Sequence, residues 1–183
     1  MLASRPSLPL PRLPALTLAA LGLAVAWSSC FRLNLSASLP TGLYFLIPNI
    51  LSRPLERGDL VLVCPPPNIT ATAHTRGYAG FGLCPGFVPE ILKPIGALPG
   101  DAVAVRDGFV WVNHSRVPSA LVLPRDSRNR PLAPFSLDEL EVPAGSVFLL
   151  STHSPRSWDS RYFGPVPLAR VRARAVPLWR FGR

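Results

Sequence analysis

Lysine is almost missing from this 183-residue chain: of its 19 lysines and arginines, Lys93 is the sole lysine. Arginine is effectively never deprotonated in a protein, whereas a buried lysine can be. Either the chain needs a removable proton at position 93, or codon bias has left one chance survivor. Composition alone leaves both open. Acids are also few, 10 in all, so the formal net charge is +9. Such a charge suits nucleic acid or anionic lipid. No nucleic-acid motif accompanies it, which argues against a nucleic-acid partner. Arg170, Arg172 and Arg174 alternate and would share one face of a strand. We expect that strand to be solvated or membrane-facing. The three cysteines and three histidines (His74, His114, His153) lack metal-ligand spacing. No internal repeat or second domain is visible, and the length suits one domain with a short appendage. The 23 prolines, spread along the chain, argue against long helices and for short strands and loops.

Residues 13–31 form one apolar run, preceded by Arg5 and Arg12 and free of acids. Its length is near the lower limit for spanning a bilayer. Trp27 lies near the outer end, where interfacial aromatics are at home. The flanking charge favours an inside N-terminus, although Arg32 weakens the asymmetry. A cleaved signal peptide is the alternative. An anchor is preferred because chemistry-bearing residues follow at once. The expected organisation is therefore 1–12 cytoplasmic, 13–31 transmembrane and 32–183 exported, with membrane lipid as a partner.

The exported part reads as β-rich. Candidate strands are 43–47, 59–63, 102–106, 109–113, 146–150 and 170–176. Asp107 and Gly108 signal a hairpin. Pro99-Gly100-Asp101 and Pro143-Ala144-Gly145 mark turns. Residues 136–140 suit a helical turn capped by Ser136, and 64–85 reads as a long Pro/Gly-rich loop. Cys30 lies in the apolar run. Cys64 and Cys84 are each followed by Pro. An exported location permits a disulfide between them; two free buried thiols are the alternative.

Three separated segments carry the chemistry. They are Ser36-Ala37-Ser38-Leu39-Pro40-Thr41-Gly42-Leu43-Tyr44, Lys93-Pro94-Ile95-Gly96-Ala97-Leu98-Pro99-Gly100-Asp101, and Ser157-Trp158-Asp159-Ser160-Arg161-Tyr162-Phe163-Gly164. A serine hydroxyl is a weak nucleophile until a base takes its proton. Histidine is the usual base, but a lysine can serve once desolvation brings its pKa towards working pH. Lys93 has apolar neighbours in Ile91, Leu92, Ile95 and Leu98. The nearest acid in sequence, Glu90, can be directed elsewhere by alternation.

Together the segments resemble the three main sequence boxes of bacterial type I signal peptidases, in the family's order and after an N-terminal apolar run. The shortened serine box, extended back to Asn34 as N-x-S-x-S-x-P-x-G-L-Y, is similar to TraF-type conjugative-transfer signal peptidases. Cys64-Pro65 and Cys84-Pro85 also fit that subfamily. The resemblance implies an all-β domain of coiled antiparallel sheets behind one transmembrane helix, at a bacterial inner membrane with the domain in the periplasm. It implies a serine endopeptidase acting on an exported preprotein, most specifically the propilin of a conjugative pilus, with ring closure of the product in at least some members. No metal or organic cofactor is implied.

Carried over by position, Ser38 is the nucleophile and Lys93 its base. The Ser38 backbone N–H and the Ser36 hydroxyl form the oxyanion site, and Ser157 orients the lysine. Asp159 and Arg161 support the site, and Asp101 shapes a turn. Where the family's closing box often begins G-D-N, this chain has Ser151-Thr152-His153. The rivals are a general type I signal peptidase, a LexA-like autoprotease and a non-catalytic adaptor of a secretion apparatus.

Overall fold

Short alternating runs, cut by Pro and Gly, have room only for strands, and strands must pair to satisfy their backbones. A computed structural model describes residues 17, 18, 20, 22, 29–48, 53–136 and 138–181. The stretch 1–12 and most of the expected anchor, 13–31, lie outside these. Among the described residues no helix is long and apolar enough to cross a membrane.

The strands are β1 (Phe31–Asn34), β2 (Gly42–Ile47), β3 (Leu60–Val63), β4 (Ile91–Ala97), β5 (Ala102–Arg106), β6 (Phe109–Val112), β7 (Ser115–Leu121), β8 (Leu140–Glu141), β9 (Ser146–Leu149), β10 (Val166–Pro167) and β11 (Val171–Arg180). They form a seven-stranded sheet, β1-β2-β11-β3-β4-β9-β10, and a four-stranded one, β7-β6-β5-β8. Every pairing is antiparallel. The mostly β, antiparallel architecture is therefore as expected. Asp107 and Gly108 turn the β5–β6 hairpin with φ of 52° and 73°, the positive pair that a tight two-residue hairpin turn needs.

Three apolar clusters hold the sheets. Val61, Val63, Ile95, Val147, Leu149, Phe163 and Val166 pack on one face of the large sheet. Leu39, Tyr44, Leu46, Leu62, Leu92 and Ala173 form another cluster. Ala97, Phe148 and Leu150 join Val103, Val110, Val112, Ala120 and Val142, which ties the small sheet to the large one. Each fully buried Val, Leu or Phe contributes about 1.5–3 kcal/mol by leaving water.

Four local expectations are corrected. Residues 64–85 are not all loop: Thr70–Arg76 is a helix, α1, closed by Gly77 at φ 66°. Thr, Ala and His carry it, and its end is a left-handed glycine cap. The described residues of 136–140, which are 136 and 138–140, carry no helical turn. The Ser136 hydroxyl instead accepts from the Asp138 N–H, and Leu140 pairs in β8. The arginine alternation also fails. A register shift between Val171 and Ala173 breaks the period of two. Arg172 stays exposed, but Arg174 is buried on Asp59 at 2.8 Å. Finally, β1, β4, β7, β8 and β10 lay outside the strands read from the sequence. In β4, Pro94 and Gly96 look like strand breakers. Both are accommodated, with Pro94 opposite Leu60 and its carbonyl accepting from the Leu150 N–H.

Candidate active site

The loop between β1 and β2 presents Ser38. Leu39 anchors it in the core, and the Tyr44 hydroxyl donates to the Pro40 carbonyl at 2.7 Å. The Asn34 side chain bonds the loop from below: Oδ1 accepts from the Ser36 N–H (3.3 Å) and hydroxyl (2.8 Å), and Nδ2 donates to the carbonyls of Ser36, Leu39 and Pro40 at 3.2–3.3 Å. The Ser151 hydroxyl, fully buried, donates to the Ser38 carbonyl. Gly42, which ends the loop, lies so close to β11 that a Cβ there would stand 2.2 Å from the Trp179 carbonyl oxygen. That explains the glycine in the serine box.

Lys93 lies on β4, an interior strand, opposite Val61 of β3. Alternation puts it on the face of Ile91 and Ile95. The residue is 4% exposed. Nζ lies 2.5 Å from Ser38 Oγ and 2.8 Å from Ser157 Oγ, and the two hydroxyls are 3.3 Å apart. Burial pushes the Lys93 amine down from 10.5 to about 8. The Asp159 carboxylate pulls against that drop, and the Arg161 guanidinium adds to it. The acid that acts on Lys93 is thus Asp159, far away in sequence, rather than its near neighbour Glu90.

Asp159 and Arg161 flank the start of the short helix α2 (Ser160–Phe163). Both are fully buried, with Arg161 Nε donating to Asp159 Oδ1 at 2.8 Å. Both make further hydrogen bonds. Arg161 also donates to the carbonyls of Leu121 (2.7 Å) and Ser157 (3.0 Å), and Asp159 accepts from the Ser151 N–H at 3.0 Å. The pair therefore pins the backbone of Ser157 and Ser151, whose hydroxyls reach the Ser38–Lys93 pair. Asp101 serves a turn: it accepts from the Leu98 N–H at 2.7 Å, from Asn113 and from Arg57. Its burial would raise the carboxyl, but these bonds outweigh that and hold it at about 2.

Cys64 and Cys84 are bonded, with Cα atoms 5.5 Å apart. They pack with Ala73 and Val88 against Ala79 and Trp158. Trp158 also packs at a tilt against Tyr78, with ring centroids 5.1 Å apart and planes at 58°. A cavity of about 510 Å³ opens over Ser38 and Lys93, lined by Leu33 and Asn34 of β1, by Leu35 just after it, and by Tyr78, Trp158 and Tyr162. His153 is exposed in the loop before Ser157. Sequence reasoning named neither Asn34 nor Ser151 as a contact of the serine loop. Asn34 stood inside the quoted motif, and Ser151 stood where the closing box departs from its usual form.

The constellation sets a serine hydroxyl against a buried lysine amine on antiparallel sheets. The chain belongs to the signal peptidase family, peptidase S26, whose model matches residues 11–179. It is similar to a probable conjugal transfer protein TraF from Sinorhizobium fredii, 41% identical over 163 residues, covering 87% of this chain and 82% of that protein. It is also similar to a plasmid transfer protein TraF from Escherichia coli, 36% identical over 168 residues, covering 90% of each. A solved structure, signal peptidase I from Enterococcus faecalis, aligns at 22% identity with a TM-score of 0.39, covering 67% of this chain and 97% of that one.

Proposed function

We propose that this chain is a membrane-tethered serine endopeptidase with Ser38 as nucleophile and Lys93 as general base. The observation that carries the reading is the buried amine 2.5 Å from Ser38 Oγ, with its pKa down at about 8. The neutral amine takes the Ser38 proton as Oγ attacks the scissile carbonyl. The oxyanion forms beside the Ser38 backbone N–H and the Ser36 hydroxyl; losing one such donor costs roughly 10²–10³ in rate. Lys93 then delivers its proton to the leaving amine, and an ester on Ser38 remains. Water opens that ester. In ring closure the pilin's own amino terminus does so instead, forming an amide and returning the proton through Lys93.

Residues 13–31 serve as the anchor in the bacterial inner membrane, with 32–183 on the periplasmic side. The acid-free apolar run behind Arg5 and Arg12 supports this. The substrate is an exported preprotein lying extended in the cavity. Its identification as the propilin of a conjugative pilus draws on the conjugal and plasmid transfer proteins above and on the stretch from Asn34 to Tyr44. Membranes carrying the chain should trim a co-resident propilin, and mass spectrometry should find the product one water lighter than the linear trimmed form. The linear mass alone refutes ring closure. Trimming of many unrelated preproteins refutes the narrow substrate, and identical products from Ser38→Ala refute the peptidase reading.

A further inference from the structure

Asn34 ends β1 four residues before the nucleophile, and the chemistry above gives it no task. It is buried, and every hydrogen bond recorded for its side chain goes to the loop that carries Ser38. The carboxamide has only one workable orientation. Nδ2 faces three carbonyls, while Oδ1 faces an N–H and a hydroxyl, so a flipped amide would set acceptor against acceptor and donor against donor. The two ends therefore do different things. Oδ1 at 2.8 Å fixes the Ser36 oxygen in one rotamer, out of the three a free serine samples. Nδ2 gathers the carbonyls of Ser36, Leu39 and Pro40, on both sides of Ser38, into one turn.

We propose that Asn34 is a positioning residue for the oxyanion site, holding the Ser36 oxygen in place and fixing the turn that aims the Ser38 backbone N–H. This rests on the peptidase reading. As charge develops on the substrate oxygen, the Ser36 hydroxyl has only to swing its proton from Asn34 Oδ1 while its oxygen stays put. Little reorganisation then remains at the moment of reaction, which is what makes such donors effective. The polar atoms of the Asn34 side chain are bonded to the serine loop rather than offered to the cavity, so its loss should appear in turnover rather than in binding.

The test uses the full-length chain in detergent and an internally quenched peptide with alanines flanking the scissile bond. Asn34→Ala should lower kcat about 10- to 100-fold and leave KM within about twofold. In a Ser36→Ala background the same substitution should cost at least about threefold less than it does alone, because the two residues act as a unit. Equal losses in both backgrounds, or a loss confined to KM, would overturn the assignment. Asn34→Asp, nearly the same size, guards against misfolding and is checked by thermal unfolding. It keeps the acceptor for Ser36 but turns a carboxylate towards three carbonyls. A folded Asn34→Asp with wild-type kcat overturns the proposal as well. If the unmodified chain shows no Ser38-dependent cleavage, the peptidase reading fails and this proposal falls with it. If it cleaves and the Asn34 variants match it, only the positioning role fails.

Discussion

The pH dependence of cleavage follows from where β4 puts its lysine. Burial lowers the Lys93 amine from 10.5 to about 8, with the nearby Asp159 carboxylate opposing and the Arg161 guanidinium assisting. A base works only when neutral. With a pKa of about 8, roughly 9% of the amine is neutral at pH 7; with an unshifted 10.5 the figure would be roughly 0.03%. Burial therefore raises the competent fraction about 300-fold at that pH. The kcat/KM for the quenched peptide should climb about tenfold between pH 7 and pH 9 and level off above, with its midpoint near 8. A midpoint near 6.5, where a histidine titrates, would refute the reasoning, as would a rise that continues beyond pH 10. The same shift has a stability consequence. The folded pKa lies below the unfolded one, so between about 8 and 10.5 the unfolded chain binds more protons. Stability thus rises with pH across that window, by up to about 3 kcal/mol, and the increment is absent below it. Urea unfolding of wild type and Lys93→Met at pH 7 and pH 10.5 should show it as a pH-dependent difference. Parallel curves for the two proteins would contradict the buried-amine picture.

Other outcomes rest on the contacts around that pair. Arg161→Met leaves Asp159 buried without its cation and should cost about 3–5 kcal/mol in urea unfolding; a cost below about 1 kcal/mol would mean that the pair is far better solvated than its geometry indicates. Reducing the Cys64–Cys84 bond, which spans a sequence separation of 20, should lower stability by about 3 kcal/mol, read as a drop in Tm with reductant that Cys64→Ala/Cys84→Ala no longer shows. Ser151→Ala removes the hydroxyl that holds the Ser38 carbonyl. It should lower kcat about tenfold with KM little changed, and an unchanged kcat would strip Ser151 of that role.

Much of the site could be read from the sequence, because its side chains fall inside short boxes with fixed spacing. Ser38, Lys93 and Ser157 come from three segments far apart in the chain, and the structure brings their polar atoms within 3.3 Å of one another. Alternation and turn chemistry located the β5–β6 hairpin, since Asp-Gly can take the two positive φ angles. The same local logic failed wherever neighbours in space outweighed neighbours in sequence. β4 reads as broken at Pro94 and Gly96, yet pairing on both sides carries it through. Arg174 belongs by spacing to an exposed face, yet a bulge turns it inward onto Asp59. Glu90 adjoins Lys93 along the chain, but Asp159, brought in by the loop after β9, is the carboxylate that acts on the amine. Asn34 and Ser151 went unassigned because their partners are mostly backbone groups of a folded loop, and no spacing rule encodes those.

The pairing of Ser38 with Lys93 is tested most directly by Lys93→Arg, assayed against the quenched peptide at pH 9, where the unmodified chain should be near its plateau. The substitution keeps a cation in β4 but removes any group able to accept a proton. The expected result is a folded protein with cleavage at the level of Ser38→Ala. Cleavage retained in Lys93→Arg would contradict the account at its centre, because a guanidinium cannot serve as the base.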